Sequence, residues 1–155
     1  MIALTRPIVI AGVLLAAAAC AAPTVTTGVA AQPVSTPVCT ENLSPHPATG
    51  PAKPLVPGDP AAAVVCAYSA VHPQLVKSTQ VKDVKGLQTA LNAADTTPPP
   101  RGTMCPMDNG TSDVVIFAYA KGDPEYVTVK PTGCATATNG KATAYRLSDA
   151  VLNKL

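Results

Sequence analysis

The sequence predicts an α+β fold: an antiparallel sheet of four or five strands with one or two helices, cross-linked by two disulfides. Three observations predict it. Runs of branched and aromatic residues are separated by turn signals, which is typical of β-hairpins. One segment has apolar residues at helical spacing. Four cysteines stand downstream of residue 38, and a small domain with one Phe, four Tyr and no Trp commonly needs disulfides to supplement its core.

The first half of the predicted domain contains one strand and one helix. Ala61–Tyr68 is a short apolar run bounded by turn residues, which predicts a buried strand. Val81–Asp95 has apolar residues at offsets of three and four, so they form one stripe of a helix. Ser78 or Thr79 is the expected N-cap of that helix, because a hydroxyl oxygen can accept from the free N–H groups of the first turn.

The second half of the domain is predicted to form two hairpins and a short closing helix. A turn rich in Gly, Asp and Pro joins the first pair of strands. Asn-Gly, the strongest two-residue hairpin signal, joins the second pair. A serine suited to N-capping begins the last segment. These strands and the helix are expected at Asp113–Ala120, Tyr126–Lys130, Cys134–Thr138, Lys141–Leu147 and Ser148–Leu155.

The first 19 residues have the pattern of an export signal. Arg6 supplies a positive charge, and the twelve residues Ile8–Ala19 follow without a charged side chain. A transmembrane helix needs about 20 apolar residues, so this run is short for one. We therefore predict that residues 1–19 are a secretory signal peptide.

Small residues directly precede Cys20. The string Ala17-Ala18-Ala19-Cys20 resembles the lipobox of bacterial lipoproteins. That resemblance implies that Cys20 is the lipidated, palmitate-bearing mature N-terminus and that the protein sits on the outer face of the cell membrane. Ordinary cleavage at an Ala-x-Ala site, giving a freely secreted protein, is the alternative. The cysteine count favours lipidation, because modifying one of five cysteines leaves four that can pair.

Residues 20–60 form a tether and leader rich in Pro, Ala and Thr. Nine prolines lie in residues 21–60. Proline lacks a backbone donor and favours extended polyproline geometry, so this stretch is not expected to form hydrogen-bonded elements. We expect a semi-extended spacer that lifts a domain at residues 61–155 off the membrane, with the part from about Cys39 held against that domain.

Charge and histidine placement exclude several functions. Loss of Arg6 with the signal leaves ten basic and 9 acidic residues, a net charge of +1. No basic run is present, so a nucleic-acid partner is not expected. The two histidines, His46 and His72, each precede a proline, and no nucleophile motif accompanies them, as a catalytic triad would require. The sequence therefore predicts a protein that is not an enzyme.

No metal or other cofactor is expected. The four downstream cysteines are 27, 39 and 29 residues apart, whereas structural zinc sites use closely spaced pairs. Residues 108–113 (DNGTSD) have only a faint likeness to a calcium loop, and a turn rich in Asp, Asn and Gly explains them equally well. Long cysteine spacings in an exported chain instead indicate disulfides.

Four cysteines allow three pairings. We favour Cys39–Cys66, which would attach the leader to the first strand, together with Cys105–Cys134. The second bond would tie the loop before the first hairpin to the strand after it. In the chain-entropy model each bond contributes about 3–4 kcal/mol to stability.

The string Gly102-Thr103-Met104-Cys105-Pro106-Met107 resembles the reactive-site region of the subtilisin-inhibitor-like family, secreted inhibitors of serine proteases from actinobacteria. The order of strand, helix, string, strand pair and later cysteine is also similar. The resemblance implies that Met107 enters the specificity pocket of a protease, with Met107–Asp108 as the reactive bond. A disulfide and a proline beside that bond would restrict the loop before binding.

Two features depart from that family. It favours an aliphatic residue where this chain has Asp108, and its second disulfide reaches the helix, whereas the helix predicted here has no cysteine. Residues 105–110 (CPMDNG) also resemble a Cys-Pro-x-Asp-x-Gly string of small actinobacterial secreted lipoproteins of unassigned function. In that comparison Asp108 and Gly110 form a structural turn, and Met107 is a surface or packing residue.

Two hypotheses about function follow. The first is a non-catalytic surface lipoprotein, a binding or scaffolding module of the cell envelope whose ligand the sequence leaves open, with an envelope protein as one candidate partner. The alternative is a tethered inhibitor of an extracellular, subtilisin-type protease that acts through Met107. Both are compatible with attachment to the membrane through Cys20 or with free secretion, and neither involves nucleic acid.

Overall fold

This computed structural model describes residues 34–48 and 51–155. These residues form a six-stranded antiparallel sheet and two helices. The strands lie in the order β2-β1-β3-β4-β5-β6, so the only neighbours that do not follow each other in sequence are β1 and β3. The elements are β1 Ala62–Tyr68, β2 Leu75–Gln80, α1 Val84–Asn92, β3 Ser112–Ala118, β4 Glu125–Lys130, β5 Thr136–Thr138, β6 Thr143–Tyr145 and α2 Asp149–Leu152.

The antiparallel α+β class, the two helices and the two disulfides are as predicted, but the sheet has six strands rather than four or five. The strand missing from the prediction is β2, which lies at the edge of the sheet and pairs only with β1. Most of its residues are exposed, so its sequence lacks the apolar alternation that marks a half-buried strand.

The start of α1 also differs from the prediction. Ser78 and Thr79 lie in β2 and do not cap the helix. The N-cap is Asp83, whose carboxylate accepts from the backbone N–H of Gly86 at 2.8 Å. The strand occupies the residues before the helix, so the cap is the last acceptor side chain before the first turn.

The main core lies between the helices and one face of the sheet, here called the front face. Alternate residues of the three central strands point to this face because side chains in a strand alternate between its two sides. The helices cover them with their apolar stripes. The side chains buried here include Ala63, Val65, Val115, Phe117, Val127 and Val129 from the sheet and Leu87, Leu91 and Val151 from the helices.

The opposite face of the sheet, the back face, is covered by the chain that precedes β1. We call residues 39–48 and 51–57 the strap. Cys39 is disulfide-bonded to the fully buried Cys66 of β1. Leu43 packs against the small cluster formed by the back-face residues of β1 and β3. The ring of His46 stacks on that of Tyr126, with centroids 4.2 Å apart.

The last part of the strap enters the main core. Leu55 and Val56 are both buried there. Side-chain amides bind the strap's backbone: Asn92 accepts from the N–H of Val56 at 2.9 Å and donates to its carbonyl at 2.8 Å. Asn139 donates to the carbonyl of Leu55 at 3.2 Å. The compact unit therefore reaches upstream of the boundary predicted at residue 61.

The disulfides are Cys39–Cys66 and Cys105–Cys134, the pairing that the sequence favoured. Among residues 34–48 and 51–155, no helix has the length and apolar character to cross a membrane. The prediction of a signal peptide at residues 1–19 and that of a lipid on Cys20 lie outside the described residues.

Candidate functional site

One end of the sheet gathers three connections, among them the long segment between α1 and β3. At this end β1 stops, β2 begins, β3 begins and β4 stops. The connections that meet there are the turn between β1 and β2, the segment between α1 and β3, and the segment between β4 and β5. We call residues 102–111, which belong to the second of these, the methionine loop.

The methionine loop displays two large apolar side chains to solvent. Met104 is 92% exposed and Met107 is 93% exposed. They lie on either side of Cys105, whose bond to Cys134 fixes the loop to the segment between β4 and β5. Exposed apolar side chains mark a binding surface when they cluster, and these two lie three residues apart in one loop.

Hydrogen bonds hold the second half of the loop in a tight turn. The carboxylate of Asp108 accepts from the N–H of Gly110 at 2.8 Å and from the hydroxyl of Thr132 at 2.7 Å. The amide oxygen of Asn109 accepts from the N–H of Thr111 at 3.0 Å. Gly110 has a φ of +76°, a conformation that favours glycine. The loop is thus braced both by a covalent bond and by side chains on either side of it.

These contacts change the acidity of Asp108. The N–H of Gly110, then the hydroxyl of Thr132, then the charge of Lys130 hold the pKa of Asp108 below its ordinary value of 3.8, because each favours the charged form. Asp108 and Gly110 therefore form the structural turn that one resemblance implied. Met107 points to solvent and is not a packing residue.

A groove of about 550 Å³ runs beside the methionine loop. Asn109 and Thr111 of the loop form one wall. Val71 and Val76, which are 80% and 70% exposed, also line the groove. Asp113 of β3 is half-buried in the groove, and burial raises the pKa of its carboxyl. The groove was not predicted from the sequence, because it brings together residues from three separate connections and from the strands beside them.

The histidines do not belong to this site. His46 lies in the strap on the back face, where burial lowers its pKa and its Nε2 has no partner among the described residues. His72 is exposed in the turn between β1 and β2. Within the described ranges, no three His, Cys, Asp or Glu side chains come together to hold a metal ion.

No protein-family model, no curated protein and no solved structure matches this chain.

Proposed function

We propose that this protein is a non-catalytic binding module of the bacterial cell envelope, exported by residues 1–19 and anchored through a lipid on Cys20. Its binding element is the methionine loop, and its partner is an envelope protein. The observation that carries the proposal is that Met104 and Met107 are each more than 90% exposed on a loop fixed by the Cys105–Cys134 disulfide.

Physical reasoning supports a protein partner. An exposed thioether side chain gains free energy when a partner buries it, at about 25 cal/mol per Å² of apolar area. Methionine is also suited to uneven surfaces because its side chain is unbranched and polarisable. Since the disulfide and the turn at Asp108 already restrict the backbone, the loop loses little conformational entropy on binding.

The proposal is tested by photocrosslinking in intact cells. Met107 is replaced by p-benzoylphenylalanine, and the cells that make the protein are irradiated. We expect one or a few discrete heavier species on a gel, because a specific partner lies against the loop. Lys121 provides the matched control, since it is exposed in the turn between β3 and β4, at the opposite end of the sheet.

Equal crosslinking at positions 107 and 121 would show non-specific encounter and contradict a specific site. If neither a probe at Met107 nor one at Met104 gives a crosslinked species, the claim that the loop is the binding element would be contradicted.

The anchor has its own test. Cys20→Ser removes the thiol that the lipid requires, so we expect the protein to leave the membrane fraction and to appear in the medium or as unprocessed precursor. Fractionation followed by immunoblotting measures this. Ala21→Ser serves as the control because it leaves the thiol intact. Unchanged membrane retention of Cys20→Ser would overturn the anchor.

A second candidate function is inhibition of a subtilisin-type serine protease with Met107–Asp108 as the reactive bond. The exposure of Met107 beside the Cys105–Cys134 disulfide favours it. The turn at Asp108 and Gly110 bends the chain directly after Met107, whereas a bound inhibitor loop runs extended through a protease cleft, so we place this function second.

Titration against subtilisin distinguishes the two functions. Stoichiometric loss of protease activity that disappears in Met107→Gly, but persists in the control Met104→Gly, would establish inhibition. Rapid cleavage at Met107–Asp108, or no effect on the protease, would exclude it.

A further inference from the structure

We infer that the groove beside the methionine loop receives a lysine or arginine side chain of the partner polypeptide, whose cation pairs with Asp113 while its aliphatic stem lies on Val71 and Val76. This inference rests on the proposed function, because it names the chemistry of the partner that the loop engages. It extends the binding surface from the loop to the neighbouring turn.

The register of the sheet opens the groove above Asp113. Asp113 of β3 lies directly opposite Ala67 of β1, and Ala67 lies opposite Lys77 of β2. Side chains that are directly opposite share one face of the sheet, and alanine contributes only a methyl group between the two longer residues. Asp113 therefore shares the front face with the small side chain of Ala67, and both residues line the groove.

Asp113 lacks the ion pair that three other aspartates of the described residues have. Asp59, Asp83 and Asp95 each form an ion pair, with N–O distances between 2.5 and 2.8 Å. Those three are the ion pairs of the described residues, and Asp113 is in none of them, although Lys77 is on the same face. No hydrogen bond within the described ranges reaches its carboxylate either, and Asp113 is more buried than the aspartates that are paired.

An unpaired, half-buried carboxylate has an energetic consequence. Removing a charge from water costs free energy unless a partner compensates it, and the raised pKa of Asp113 reflects that cost. A cation that enters the groove restores the lost interaction. Asp113 is therefore better suited to meet a ligand than to stabilise the free protein.

The apolar residues that line the groove with Asp113 determine which kind of cation fits there. Val71 and Val76 line the same groove as the carboxylate and present exposed apolar surface to it. Lysine and arginine have the matching pattern, because their stems lie along apolar surface while the charged head seeks a polar partner. One carboxylate is too few for a metal ion such as calcium, which takes 6–8 oxygen ligands. The nearby methionines would continue the apolar contact along the partner chain.

The test uses the mature chain from Cys20 in detergent micelles, with valine methyl groups observed by NMR. Nα-acetyl-lysine methylamide is the probe, and Nα-acetyl-norleucine methylamide is the uncharged control of similar length. We expect the methyl signals of Val71 and Val76 to shift, and we expect the lysine compound to bind about fivefold more tightly, as one partly buried ion pair of about 1 kcal/mol gives.

Asp113→Asn keeps the shape of the side chain and removes its charge, so it should abolish the difference between the two compounds. Asp123→Asn, a change at an exposed aspartate at the other end of the sheet, should leave the difference intact. Equal binding of both compounds to the unmodified protein, or an undiminished preference for lysine in Asp113→Asn, would overturn the inference. The remaining methyl signals of Asp113→Asn report whether it is folded.

Failure of this inference is distinguishable from failure of the proposed function. Crosslinking through Met107 without a preference for the lysine compound would retain the binding module and reject the basic side chain. A lysine preference without any crosslinked partner would retain the affinity of the groove for a basic side chain and reject the methionine loop as the binding element.

Discussion

At the residue scale, Asp108 and Asp113 lie at the same end of the sheet, but their carboxylates have different roles. The pKa of Asp108 is lowered, first by the N–H of Gly110 and then by the hydroxyl of Thr132. That of Asp113 is raised by burial. The first carboxylate is satisfied within the fold and shapes the loop. The second is unsatisfied and lies in the groove, where a partner can reach it.

The brace at Asp108 leads to a prediction about pH. Because the folded-state pKa of Asp108 is below 3.8, its hydrogen bonds stabilise the loop above pH 3.8, and this contribution is lost as the pH falls through the lowered folded-state pKa. Thr132→Val removes one donor without changing the side-chain shape. The pKa of Asp108 should then rise toward its ordinary value, as measured by NMR titration of the carboxyl carbon.

Thr136→Val is the control for that titration, since Thr136 lies in β5 and makes no contact with Asp108 among its described hydrogen bonds. Equal titration midpoints in Thr132→Val and the unmodified protein would show that the hydroxyl does not brace the loop.

At the scale of elements, the strap explains how a proline-rich segment joins a core. Proline cannot donate to a backbone ladder, and the strap forms no strand among the described residues. Near Asn42 the strap makes one antiparallel bridge, to Gln74. Further along, its backbone groups are satisfied by the side chains of Asn92, Asn139 and Gln88, the last of which donates to the carbonyl of Val56 at 3.2 Å. The proline content of residues 34–48 and 51–57 agrees with the absence of helices and strands there, but it does not reveal these side-chain partners.

Val56 provides the test of the strap. Its side chain is fully buried in the main core, so Val56→Ala should lower the free energy of unfolding by about 2 kcal/mol through lost apolar burial and the cavity left behind. Val38→Ala is the matched control, because Val38 is 83% exposed and should change stability little. Denaturant unfolding measures both. Equal stability of the two variants would mean that the strap is not part of the folded unit.

The other elements were predictable to differing degrees. The apolar strands at β1, β3 and β4 and the Asn139-Gly140 hairpin follow from strong local signals and were found within a few residues. The helix α1 is shorter than Val81–Asp95, because β2 and Asp83 fix where it begins. An exposed edge strand such as β2 is stabilised by pairing with β1, which its own sequence does not encode.

At the scale of the whole molecule, the two disulfides differ in accessibility. Cys66 is fully buried, whereas Cys105 is exposed. Exchange requires a thiolate to reach a disulfide sulfur, so a mild reductant should open Cys105–Cys134 first. Timed alkylation and peptide mass spectrometry would identify the order, with an unreduced sample as the control.

Full reduction should then lower the melting temperature by many degrees, since each bond contributes about 3–4 kcal/mol in the chain-entropy model. Prior opening of Cys39–Cys66 would contradict the predicted order. An unchanged melting temperature after both bonds are open would mean that neither stabilises the fold.

The site was predictable in part, for a physical reason. The string around Cys105 is local in sequence, so its exposure on a braced loop could be expected. The groove was not predictable, because Val71, Val76 and Asp113 meet only through the register of three strands. Long-range register depends on pairing across the whole sheet rather than on any single segment.

The attachment of the strap to the sheet also limits the distance between Cys20 and the folded unit. Cys39 is fixed to the sheet, so 19 residue steps from Cys20 are all that separate the proposed lipid from the folded unit. A fully extended chain of that length spans at most about 65 Å, whereas a free chain up to residue 61 would span at most roughly 140 Å. If Cys20 carries the lipid, attachment of the chain at Cys39 about halves the reach of the tether, and a partner of the methionine loop must then lie within that distance plus the width of the folded unit from the bilayer surface.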